Sequence, residues 1–286
     1  MVSVHTKLIS LLGFPLEQTL APQMFNETFR ILNLDYFYFP IEIGNDKLEA
    51  VVNGIRCMNY AGFNVTKPNK IKILDYLDEL DELAEIIGSV NVVTMRNGKL
   101  KGYNTDGIGF VQALLDQTSM DLSTSTFLIL GAGGASRAVS STLASQGAKK
   151  LHIVDKIDEA SASLVKNINR KIRECAEFIP FDKAPLRELM QKSNVLVNAT
   201  GVGMPPDIEH TPVNKEFLHK DLLVCDLIYN PLKTRLLLDA EEAGCRTMNG
   251  IDMAIIQGIK GFALMTGLPE PAAIMRETMY KLIADR

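Results

Sequence analysis

Residues 126–136 read Thr-Phe-Leu-Ile-Leu-Gly-Ala-Gly-Gly-Ala-Ser, an apolar run that breaks into glycines and then into a segment rich in Ala, Val and Leu. The pattern predicts a strand, a tight turn and a helix. Gly131 and Gly133 let the backbone turn sharply and approach a ligand with no Cβ in the way. The amides that open the following helix are suited to a pyrophosphate. Gly131, Ala132, Gly133, Gly134 and Ala135 are therefore candidate contacts to a dinucleotide. The complete fingerprint has a third glycine or alanine where this chain has Ser136, so the elements that follow must carry the argument.

Those elements have the expected form. Ala138–Gln146 has a helical pattern that Gly147 stops, and Lys150-Leu-His-Ile-Val154 is a strand with Asp155 at its end. An acid about 20 residues beyond the glycines accepts hydrogen bonds from the ribose hydroxyls in a βαβ dinucleotide unit. Asp155 is the candidate for that task.

A chain of 286 residues has room for two ordinary domains. Its 47% hydrophobic and 22% charged residues argue against disorder. The net charge of -4 and the lack of a long basic run give no electrostatic footprint for nucleic acid. Four scattered cysteines and four dispersed histidines show no metal-ligand spacing, so neither a metal site nor a disulfide framework is expected. The apolar run Leu8–Phe14 is too short to span a membrane and lacks a signal-cleavage pattern, so no membrane partner and a cytoplasmic location are expected.

In chain order, Leu8–Gly13 reads as a buried strand, and Pro22 opens a helix carrying Met24, Phe25 and Phe29. The loop between them lies beyond a strand's carboxyl end, where α/β domains bind ligands, so Gln18 and Thr19 are either polar contacts or helix caps. Asp35–Ile43 alternates as a second strand, Lys47–Met58 is helical, and Gly62–Thr66 is a third strand. Asn64, Thr66 and Lys70 then gather at a strand's end. A lysine near a helix start is disfavoured by the helix dipole, which points to a chemical task for Lys70; a solvated surface lysine is the alternative.

Asp75–Ile87 reads as a charged, solvated helix, and Gly88–Thr94 as a strand holding Asn91 among β-branched neighbours. Buried asparagine must be paired, either by a structural hydrogen bond or by substrate. Asn97-Gly98 marks a hairpin turn, and Asp106 is placed to open the next helix, as cap or as functional carboxylate. Beyond the dinucleotide unit come a helix over Glu159–Arg173 and strands over Phe178–Phe181, Ser193–Thr200 and Asp221–Ile228. A helix over Thr234–Ala243 and a last short strand complete a doubly wound sheet, with Asn198 and Thr200 at one strand end as candidate cofactor contacts. Helices over Ile251–Thr266 and Pro271–Ile283 close the chain, and Gln257 in the first of them reads locally as facing water.

The segments Asn64-Val-Thr-x-Pro-x-Lys70, Gly88-x-Val-Asn91, Gly102-x-Asn-Thr-Asp106, Gly131-Ala-Gly-Gly-Ala135, Asn198-Ala-Thr-Gly201, Tyr229-Asn-Pro231 and Gly250-x-x-Met253-x-x-x-Gln257-Gly258 follow one another through nearly the full chain. In this order they resemble the shikimate/quinate dehydrogenase family. The resemblance implies an α/β fold in two domains: a substrate domain over 1–107 plus 249–286, and a Rossmann-type NAD domain over 108–248, with the active site in the cleft between them. It implies Lys70 and Asp106 as catalytic residues. It also implies Asn64, Thr66, Asn91, Tyr229 and Gln257 around a cyclitol acid, to which the loop candidates Gln18 and Thr19 are added, with Gly250 beside the cofactor.

Oxidising a ring hydroxyl sends a hydride to nicotinamide and a proton to a base, which suits Lys70, with Asp106 orienting it and hydrogen-bonding the reacting hydroxyl. Family members that use NADP typically carry an Asn-Arg-Thr-like segment where this chain has Asp155-Lys156. A carboxylate accepts from ribose hydroxyls and repels a 2′-phosphate, so NAD is the expected cofactor and NADP the lesser one, with Lys156 softening the choice. The family usually places two serine hydroxyls against the substrate carboxylate where this chain has Thr19-Leu20-Ala21. One lost donor costs about 1.5–3 kcal/mol, so a different cyclitol analogue is the alternative substrate, and a non-catalytic NAD sensor the alternative function. A monomer or homodimer is expected.

Overall fold

The computed structural model describes residues 2–181 and 185–285. The chain forms two compact units, one running to Thr105 and resuming at Ile255, the other Asp106–Ala254. Elements are numbered in chain order.

The first unit contains β1 (Lys7–Gly13), α1 (Ala21–Ile31), β2 (Tyr36–Glu42), α2 (Leu48–Arg56), β3 (Tyr60–Val65) and α3 (Asn69–Lys72). After a 3-10 turn at Ile73–Tyr76 come β4 (Glu79–Leu80), α4 (Glu82–Ile87), β5 (Val92–Arg96) and β6 (Lys99–Tyr103). Its strands are ordered β2-β1-β3-β5-β6-β4. β1 runs parallel to β2 and β3, whereas β5 is antiparallel to β3 and β6. The β5–β6 turn places Asn97 at φ 51 and Gly98 at φ 76, the left-handed pair that a two-residue hairpin requires. Leu12, Phe63 and Val65 pack with Leu48, Val52 and Ile55 of α2 in one core. Phe25, Phe29, Tyr38 and Phe262 form an aromatic layer, with Phe25 and Tyr38 stacked at 4.6 Å between ring centroids.

The second unit contains α5 (Asp106–Thr118), β7 (Thr126–Leu130), α6 (Gly134–Ser145), β8 (Lys150–Val154), α7 (Asp158–Lys171) and β9 (Ala176–Phe178). It continues with α8 (Leu186–Lys192), β10 (Val195–Asn198), β11 (Leu223–Asp226), α9 (Arg235–Glu242) and β12 (Arg246–Met248). The strands are ordered β12-β11-β10-β7-β8-β9, and each pair is parallel. Successive strands are thus added first to one side of β7 and then to the other, the doubly wound order with its switch point between β7 and β10. Phe127 and Ile129 enter one core while Leu128 and Leu130 enter another, so both faces of β7 are covered, as a parallel sheet demands. From here α10 (Ile251–Thr266) leads back to the first unit, where α11 (Ala272–Ala284) packs on α1.

Several elements differ from the sequence expectations. Asp75–Ile87 is not one helix. Asp81 accepts a hydrogen bond from Leu83 N and so begins α4, while Glu79 and Leu80 pair with Lys101 and Gly102 of β6. Ser89–Asn91 precedes the strand, because Gly88 at φ 70 ends α4 and β5 begins only at Val92. β9 lies at Ala176–Phe178, three residues that pair with β8, rather than at Phe178–Phe181. α8 was not anticipated; Leu189 and Met190 bury it against the sheet despite a short and charged sequence.

Candidate active site

Within the first unit, hydrogen bonds join Asn64, Asn91 and Gln257, three of the residues singled out above. Asn64 on β3 is 7% exposed, its Nδ2 donates to Asn91 O at 3.1 Å, and its Oδ1 accepts from the Tyr38 hydroxyl at 3.0 Å. Val65 N donates to the same Asn91 carbonyl at 2.9 Å. Asn91 Nδ2 reaches Thr105 Oγ1 at 2.9 Å and Gln257 Oε1 at 3.2 Å, and its Oδ1 accepts from Thr105 N at 2.8 Å. Thr105 Oγ1 in turn donates to the Gln257 carbonyl at 3.2 Å. Gln257 is therefore half-buried and bonded to Asn91, contrary to its local reading as a water-facing residue. The Asn91 amide is paired within its own unit, as a buried amide requires.

Thr66 and Lys70 are held by backbone bonds of their own. Thr66 N donates to Leu12 O at 2.9 Å, Asn69 N to Thr66 O at 2.9 Å, and Val90 N to Lys70 O at 2.9 Å. A Cβ on Gly13 would lie 2.3 Å from Thr66 Cγ2, so only glycine leaves the threonine its place. Thr66 and Lys70 are half-buried. In the loop after β1, Thr19 Oγ1 accepts from the N–H of Ala21, the first residue of α1, at 3.3 Å; Gln18 is exposed. Asp106, 4% exposed, is the first residue of α5 and directly follows Thr105.

In the second unit the glycine loop joins β7 to α6. Gly131 has φ +105, and a Cβ there would lie 2.9 Å from Ala199 O, so the loop is pressed against the end of β10. Gly133 precedes α6 and has nothing within 4 Å of a Cβ position, leaving open space before the helix amides. That is the cradle a pyrophosphate needs, and the dinucleotide fits these residues. Asp155 stands at the end of β8, with Oδ2 accepting from Ala132 N at 2.6 Å and Oδ1 from Ile157 N at 2.8 Å. Its carboxylate thus holds the glycine loop to the end of β8. Asn198 is fully buried; its Oδ1 accepts from Thr200 N and Oγ1, and its Nδ2 donates to Asp226 Oδ1 at 3.1 Å. Gly250 could not carry a Cβ, which would lie 2.1 Å from Leu227 O. Tyr229 is half-buried in the loop after β11.

Three participants were missed at the sequence level: Tyr38, Thr105 and Asp226. Asp226 had the plainest signal, a lone acid inside the core strand Leu-Val-Cys-Asp, which calls for the pairing argument applied to Asn91. Its burial raises its pKa, opposed by the hydrogen bonds it accepts from Thr234, Ile228 N and Asn198.

Among the described residues no group of His, Cys, Asp and Glu could hold a metal ion, and no helix is long and apolar enough to cross a membrane.

A doubly wound unit with this glycine loop, joined in one chain to an α/β unit bearing a bonded polar cluster, defines a dinucleotide-dependent oxidoreductase class. The profile of the shikimate dehydrogenase substrate binding domain matches residues 11–93. The shikimate dehydrogenase (NADP(+)) of Alkaliphilus metalliredigens is 42% identical over 272 residues, covering 94% of this chain and 95% of that protein. The structure of shikimate 5-dehydrogenase from Listeria monocytogenes, in complex with shikimate and NAD, is 39% identical with a TM-score of 0.85, covering 96% of this chain and 97% of that one. Quinate dehydrogenase from Corynebacterium glutamicum in complex with NAD is 29% identical with a TM-score of 0.87, covering 96% and 99%. The chain belongs to the shikimate dehydrogenase family.

Proposed function

We propose that this protein is an NAD-preferring dehydrogenase that interconverts a ring hydroxyl and ketone on a shikimate- or quinate-like cyclitol acid. The observation that carries this reading is the bonded cluster of Asn64, Asn91, Thr105 and Gln257, with Lys70 tethered beside it through Val90. Such a cluster fixes several polar side chains in advance, which is what recognition of a multiply hydroxylated ring requires. The relatives act on shikimate and on quinate by name, and the two acids share a carboxylate and ring hydroxyls.

When bound, the dinucleotide supplies the hydride acceptor. Lys70 exchanges the hydroxyl proton, and Asp106 accepts a hydrogen bond from the same hydroxyl and fixes its direction. Asn64, Thr66, Asn91, Tyr229 and Gln257 hold the ring, and Gln18 and Thr19 face the carboxylate. The domain assignment accompanying this reading gives substrate to residues 1–107 and 249–286, and NAD to 108–248. Gly131–Ala135, Asn198, Thr200 and Gly250 surround the cofactor.

The preference for NAD rests on Asp155. Two backbone amides hold its carboxylate at 2.6 and 2.8 Å, and each oxygen keeps a second lone pair for a ribose hydroxyl. A 2′-phosphate would meet that charge at close range. The A. metalliredigens relative is named for NADP(+), whereas the L. monocytogenes structure holds NAD, so the residue at this position rather than family membership argues the choice.

The test is Lys70→Ala. It removes turnover of shikimate and quinate by about 10²–10⁴-fold while the dissociation constant for NAD stays at its wild-type value. Undiminished turnover would remove Lys70 from the chemistry.

A further inference from the structure

The carboxylate of Asp226 has no part in the scheme above, yet it is fully buried at the carboxyl end of β11, and among the described residues no lysine or arginine bonds to it. Each of its bonds goes to a different piece of the second unit. Oδ1 accepts from Asn198 Nδ2 at 3.1 Å and from Ile228 N at 3.1 Å; Oδ2 accepts from the Thr234 hydroxyl at 2.7 Å. Thr234 is the N-cap of α9 and accepts from Leu237 N. Asn198 begins the loop whose Thr200 bonds back to it, and Thr200 Oγ1 accepts from Val202 N at 3.1 Å. Ile228 precedes Tyr229 and accepts from Gly250 N at 3.0 Å.

We infer that Asp226 is a positioning residue that fixes two binding loops at once: 198–202, assigned above to cofactor, and 227–230, which carries Tyr229. A buried carboxylate is costly unless it organises its neighbours, and here three neutral donors from three segments converge on it. An apolar residue would pack as well in a core strand, so the acid is explained by what it holds. This inference rests on the proposed roles of Asn198, Thr200 and Tyr229.

The test compares Asp226→Ala, Asp226→Asn and Thr234→Val. Asparagine can keep Oδ1 toward Asn198 and Ile228 N and offer its amide to Thr234 Oγ1, so it restores most of what alanine loses. Asp226→Ala is expected to raise KM for both NAD and the cyclitol acid by roughly tenfold or more, with Asp226→Asn returning both toward wild type. Asn198→Ala is expected to raise KM for NAD alone. Thr234→Val leaves Asp226 in place, removes one of its bonds, and is expected to give a smaller rise in both constants, which keeps the inference testable where alanine does not fold. Variants with a lower unfolding midpoint but unchanged KM values would overturn it, because a merely structural residue affects only stability. If the wild type turns over neither acid, the proposed function fails by itself. Direct titration of NAD then decides the inference: weakened binding in Asp226→Ala, recovered in Asp226→Asn, supports it, and equal binding in all variants overturns it.

Discussion

At the scale of single residues, polar side chains are the informative ones. Asn64, Asn91, Asn198 and Asp226 are buried among apolar strands, and each bonds to protein partners. Of these, Asn91 was conspicuous in the sequence because a lone amide in a β-branched run must be paired, and Asn198 because it stands at a strand's end. Their partners were not legible, since Thr105 and Gln257 lie 14 and 166 residues from Asn91 and no local pattern links them. His152 on β8 supports a separate prediction. Burial lowers its pKa below the usual value, and the Glu177 carboxylate only partly opposes this. Between that lowered value and about 6.5, the unfolded chain binds a proton that the folded one does not. Stability contributed by keeping His152 neutral is therefore lost as pH falls through that window. The urea midpoint of the wild type should drop more between pH 7 and pH 5 than that of His152→Gln. Equal drops would mean that His152 titrates normally.

At the scale of elements, glycine contacts set how closely the layers pack. In α5, a Cβ on Gly107 would lie 2.4 Å from Ala138 O of α6, with Thr142 Oγ1 closer still. Gly107→Ala must push the helices apart, at an expected cost of about 1–3 kcal/mol read as a lower urea midpoint. Gly54 in α2 has nothing within 4 Å of its Cβ position. Gly54→Ala should therefore raise the midpoint, by about 0.5–1 kcal/mol from helix propensity. The reverse order of the two variants would contradict the packing. Long periodic elements such as α10, and strands such as β8 flanked by breakers, were legible from pattern alone. The two-residue β4 and the seven-residue α8 were not. β4 exists because β6 offers it an edge, and α8 because the sheet buries Leu189 and Met190. Such elements are decided by tertiary contacts that a local window does not contain.

At the scale of the molecule, the order of motifs along the chain carried more than any single one. The glycine loop without its third small residue is a weak signal. Followed by β8, Asp155 and the strands to β12, it defines a doubly wound unit, and the motifs on either side place the chain in its family. Substrate and cofactor choice rest on fewer residues: Thr19-Leu20-Ala21 for the acid and Asp155-Lys156 for the dinucleotide. The decisive measurement is the initial rate of nicotinamide reduction with shikimate and quinate, each crossed against NAD and NADP. The predicted result is turnover of at least one acid, with kcat/KM higher for NAD than for NADP. A higher value for NADP would contradict the role given to Asp155. Absence of turnover on both acids, with NAD binding intact, would contradict shikimate and quinate as substrates and point to an analogue altered at the carboxylate.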